Sequence, residues 1–89
     1  MNTDTRSTMM SILQKNNLSL LDISILYNMA MGYTTEQIAS MLHLSPDAIK
    51  SRRKILMRRF HAINAPNLIY KTRVLILAYE IYLFNPPSK

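Results

Sequence analysis

The pattern that most constrains this chain is a helix-start signal written three times between Leu18 and Ile49. Each time a hydroxyl residue stands as N-cap (Ser19, Thr34, Ser45), with one apolar residue just before it and another four positions after. The pairs are Leu18 with Ile23, Tyr33 with Ile38, and Leu44 with Ile49. This is the spacing of a hydrophobic staple, which fixes the angle at which the chain enters a helix. Asp22 and Gln37, each three residues after its cap, complete capping boxes. Pro46 follows Ser45 at the first helical position, where its missing N–H costs nothing. Gly32, the only glycine, falls where the first helix should stop, and a left-handed residue at that point strongly favours glycine. The grammar predicts helices over Ser19–Met31, Thr35–Leu42 and Pro46–Phe60. Their inward residues should include Leu21, Ile25, Leu26 and Met29, then Ile38, Ala39 and Leu42, then Ile49, Leu56 and Phe60. His43, between the second and third, tolerates a positive φ, though less well than glycine.

Length and composition agree with an all-α fold. Eighty-nine residues make one small domain, and 48% apolar content is enough for a compact core. One glycine and four prolines argue against a turn-rich β fold. With no cysteine and two histidines, His43 and His61, neither a disulfide framework nor a structural metal site is expected. No secretory signal stands at the start. The longest apolar stretch, Val74 to Phe84, is interrupted by Glu80 and about half of what a bilayer needs. The expectation is a soluble cytoplasmic protein without a membrane partner. Paired carboxylates, a nucleophile with its base and a glycine-rich phosphate loop are all missing, so an enzyme is not expected, nor a cofactor.

Charge says more through its position than through its total of +6. Lys50, Arg52, Arg53, Lys54, Arg58 and Arg59 are six of eleven basic residues, and no acid lies between Asp47 and Glu80. Such concentration suggests a polyanionic partner, nucleic acid before an anionic membrane surface; a solvated basic face is the bland alternative. On the third helix Lys50, Ser51, Lys54 and Arg58 fall opposite the apolar stripe. Arg53, four after Ile49, lies beside that stripe and should pack its aliphatic stem there. Asp47 sits in the first turn, where the helix dipole favours an acid. A short helix, a tight turn and a basic second helix are the outline of a helix-turn-helix DNA reader.

The flanks are less explicit. Residues 1–17 are rich in Thr, Ser and Asn; Met9, Met10, Ile12 and Leu13 suit one face of a brief helix, and a disordered or loosely docked arm is the competing reading. The domain division is an N-terminal arm over 1–17, a helix-turn-helix domain over 18–84 and a tail over 85–89. His61 to Asn67 reads as a loop, with Asn67 capping a final helix over Leu68–Phe84 that Pro86 and Pro87 end. Its second half, VLILAYEIYLF, is apolar nearly all round. Either it is buried centrally by the other helices, or it self-associates through Leu75, Tyr79, Tyr82 and Leu83.

From Leu18 to Phe84 the chain resembles the LuxR/GerE-type helix-turn-helix domain of bacterial transcription regulators. The matching residues are Leu18-Ser19, Ala30 and Gly32 at the end of the first helix, and Ile38-Ala39 with Leu42. The Ser45 cap, Ile49-Lys50 and the apolar helix after Lys71-Thr72 follow in the same order, while His43 stands where the family has its turn glycine. The short length is similar to the stand-alone members. The resemblance implies a four-helix domain, a three-helix reading unit plus a C-terminal dimerisation helix. It implies that Lys50, Ser51 and Lys54 face base edges, that Thr34 and Ser45 hold phosphates with the helix-start amides, and that Arg52, Arg53, Arg58 and Arg59 add phosphate contacts. A homodimer on double-stranded DNA with an inverted-repeat site follows. The alternative is a small interaction protein that heterodimerises with a larger regulator through the final helix and modulates its DNA binding. A relative of the sigma-factor C-terminal domain, touching RNA polymerase, ranks third.

Overall fold

The computed structural model describes residues 5–85 and is all-α. Its six helices are α1 (Thr5–Lys15), α2 (Leu20–Ala30), α3 (Thr35–Leu42), α4 (Pro46–Arg59), α5 (Ala65–Lys71) and α6 (Arg73–Phe84). The outer parts of the expected arm and tail, 1–4 and 86–89, lie outside the described residues.

The three capping signals do what their spacing demands. Ser19 Oγ accepts from the Asp22 amide and Asp22 Oδ2 from the Ser19 amide, both at 3.0 Å. Thr34 and Gln37 repeat the reciprocal pair at 3.1 and 2.9 Å, and Ser45 Oγ accepts from the Ala48 amide at 3.1 Å. Helix ends are equally uniform. Gly32 has φ 91°, and the amides of Gly32 and Tyr33 return to the carbonyls of Met29 and Asn28. His43 (φ 57°), His61 (φ 54°) and Asn17 (φ 54°) end α3, α4 and α1 with the same pair of returning bonds. One glycine therefore serves one of four left-handed stops, and histidine and asparagine, among the more tolerant residues there, supply the others.

Two sets of buried residues meet at α2. Ile25 of α2 packs with Ile38 and Ala39 of α3 and Ile49 of α4. Ile23 and Leu26 join Leu56 of α4, Leu68 of α5 and Tyr79 of α6 on the other side. Leu21, expected inside, is exposed instead.

One of two open readings is met and one expectation is corrected. Residues 5–15 of the supposed arm form α1, whose Met9 and Leu13, at i and i+4, are 2% and 1% exposed in the larger set. The apolar surface of α6 needs a cover, and this helix supplies part of it. The final helix is in fact two. Asn64, not Asn67, is the cap, accepting from the Asn67 amide at 2.8 Å, while Asn67 Oδ1 accepts from the Ile63 amide at 3.0 Å. Pro66 thereby lies in the first turn, where no helical N–H is lost. The break between α5 and α6 is at Thr72, fully buried, whose hydroxyl donates to the Leu68 carbonyl at 2.8 Å. Such back-bonding to the preceding turn bends helices.

Candidate nucleic-acid interface

The second set of buried residues clamps α4 against α2 and α3 through Ile49, and the first through Leu56. That fixes the rotation of α4 about its axis and so decides which basic residues look outward. Lys50, Ser51, Lys54 and Arg58 are exposed along one stripe. With Arg53 and Met57 beside them, Lys50, Lys54 and Arg58 line an open cleft of about 480 Å³. None of Lys50, Lys54 and Arg58 forms an ion pair with another described residue.

The remaining arginines divide differently from the sequence-based expectation. Arg52, expected on phosphate, turns inward: its Nε and Nη2 donate to Asp22 Oδ1 at 3.0 and 2.5 Å. Asp22 is 1% exposed. Burial pushes its carboxyl up, but the Ser19 amide and the Arg52 guanidinium outweigh this and hold it below the usual carboxylate range. Arg59 donates to the Asn17 carbonyl at 2.5 Å and stands 4.0 Å from Asp22 Oδ2. Both face the protein because α2 crosses α4 where a buried acid awaits them. Arg53 packs its stem as expected, while Nη1 donates to Thr35 Oγ1 at 2.7 Å and so ties α4 to the start of α3. Arg58 is left as the exposed arginine of the set.

Thr34 and Ser45 are exposed at the starts of α3 and α4. Each oxygen already accepts from its own helix, yet each hydroxyl keeps its proton to donate. Two helix starts with exposed hydroxyls can therefore hold anions beside the cationic stripe.

Of the residues expected at an interface between copies, Tyr79 is 9% exposed, edge-to-face with Tyr27 at 5.5 Å and stacked on Tyr82 at 6.0 Å. Leu75 and Tyr82 pack against the same core, which leaves Leu83 exposed. The outward face of α6 is instead Val74, Leu77, Ile81 and Phe84, between 51 and 73% exposed. Contact with α1 and α2 chooses this phase. An all-round apolar sequence cannot.

Residues 16–72 match the family model described as bacterial regulatory proteins, luxR family. The match takes in α2 to α5 and ends at Thr72, so that α1 and α6 fall outside it. No curated protein and no solved structure matches the chain. No described helix is long and apolar enough to cross a membrane.

Proposed function

The chain belongs to the luxR family of bacterial regulatory proteins, and from that premise we propose a bacterial, cytoplasmic, sequence-specific regulator that binds an inverted repeat as a homodimer, with α4 in the major groove. The family domain indicates a DNA-binding helix-turn-helix transcription regulator, a class that is typically non-enzymatic. The observation that carries the finer reading is the division of labour on α4. Arg52 and Arg59 are held by the protein, whereas Lys50, Lys54 and Arg58 form an outward cationic stripe without an ion-pair partner among the described residues. In this reading Lys50, Ser51 and Lys54 meet base edges, lysine donating to guanine O6 and N7 and serine serving either kind of base. Thr34, Ser45 and Arg58 hold phosphates, with Arg53 contributing from the cleft wall.

The dimer part of the proposal is supported by the apolar outer face of α6, whose residues recur at spacings of three and four. A second copy is the simplest cover for it, and heterodimerisation with a larger regulator would use the same face.

The base-reading assignment is tested by duplex competition at fixed salt. Lys50→Ala should lose about 1–3 kcal/mol on the preferred duplex and relax its specificity, whereas Arg58→Ala should weaken all duplexes alike and reduce the salt slope by about one. Equal losses by both variants on every duplex would contradict these roles.

A further inference from the structure

We propose that Asp47 is a specificity-determining residue, accepting a hydrogen bond from cytosine N4 at one base pair of each half-site. The inference rests on α4 reading DNA and adds to it the identity of one base.

The carboxylate stands where electrostatics alone would not place it. Asp47, Lys50, Ser51, Lys54 and Arg58 lie at i, i+3, i+4, i+7 and i+11, all exposed on one side of α4. An acid therefore shares the stripe that faces a polyanion. The helix dipole favours an acid in the first turn, but that accounts for the turn and not for the side. Recognition helices contact base edges with their N-terminal residues, which brings position 47 to the floor of the groove rather than to the phosphate rim.

An ionised carboxylate can only accept hydrogen bonds, so the base edges are not equivalent to it. Guanine presents two acceptors and thymine an acceptor beside a methyl group, and both repel it. Adenine offers its N6 donor next to the N7 acceptor. Cytosine alone offers the N4 donor without a neighbouring acceptor of its own. Asp47 thus attracts one base and rejects others, and repulsion is as useful to specificity as attraction. Lys50, about 4.5 Å further along the helix axis, donates to a neighbouring pair. Cytosine and guanine are then read side by side by residues of opposite character.

The test uses the full chain, wild type and the variants Asp47→Ala and Asp47→Asn, each selecting from a randomised duplex pool. Affinity for a mixed-sequence duplex is measured in parallel. The wild type should prefer cytosine at one half-site position by about tenfold. Asp47→Ala should lose that preference at that position alone while its mixed-sequence affinity rises. Asp47→Asn, which keeps a polar group in the first turn and so controls for folding, should exchange cytosine for adenine, because an amide pairs with both N6 and N7. Identical selections by all three proteins would overturn the proposal, as would a loss spread evenly over every position. A wild type that selects no sequence would overturn DNA reading by α4 as well, which separates the two failures.

Discussion

Burying a carboxylate without partners costs several kcal/mol, so the satisfaction of Asp22 decides much of this small domain's stability. One oxygen takes the Ser19 amide and closes the cap of α2; the other takes Arg52 from the middle of α4. The folded-state pKa is depressed. The stabilisation is therefore fully present above the unfolded aspartate value of about 3.9 and is lost as pH falls through the lower folded value. Urea denaturation across a pH series should show this acid loss in the wild type, and a flatter acid limb in Asp22→Asn. At neutral pH Arg52→Ala should be about 3 kcal/mol less stable, because the buried carboxylate loses its closest cationic partner. If Arg52→Ala unfolds like the wild type at every pH, the brace is not structural. Half of this was legible in the sequence. The cap is settled by two residues three apart, whereas the arginine is 30 residues away and its choice depends on how two helices cross. The same division explains why Gly32 announces a helix stop while His61 and Asn17, in the same conformation, do not.

At the scale of elements, the starts and most inward residues of α2 to α4 were readable, whereas the start of α5 and the phase of α6 were not. Ser19, Thr34 and Ser45 each declare a helix within four residues, and α2, α3 and α4 begin where they say. The α5 start was misplaced because Asn64 and Asn67 both suit a cap and Pro66 between them resembles a loop residue. Thr72, which breaks the last helix, carries no signal until its burial forces the hydroxyl back onto Leu68. The orientation of α6 was hidden by its own composition: Tyr79 and Tyr82 look like interface aromatics until α2 presents Tyr27 to Tyr79, on which Tyr82 stacks. The apolar face that remains is the one a partner would cover. Leu77→Glu should shift the protein from dimer to monomer in light scattering and leave its helical circular dichroism intact, since Leu77 is exposed and contributes nothing to either buried set. Unchanged mass would assign that face another purpose.

Across the whole molecule, α6 packs on α1 and on α2, and Met9 and Leu13 of α1 join the larger buried set, so the parts outside the family match complete the core. Helix α4 lies against α2 and α3, held by Ile49 and Leu56, Arg52 and Arg53. This arrangement separates a cationic face, carried by α4, from an apolar one, carried by α6. A regulator that pairs through one and reads through the other needs that separation. The sequence disclosed the basic face, since a charge run at helical spacing survives any packing. The α1 cover was legible only as one of two readings, because Met9, Met10, Ile12 and Leu13 stand in an otherwise polar segment. On the proposed reading, a pair of copies joined through α6 needs half-sites about one turn of DNA apart. The most direct test is the affinity of the intact protein for duplexes carrying two inverted half-sites at varied separation. Binding should be tightest with half-site centres about 10 base pairs apart and collapse when about 5 more are inserted, which moves the second site to the opposite side of the double helix. Affinity indifferent to both separation and sequence would contradict the account.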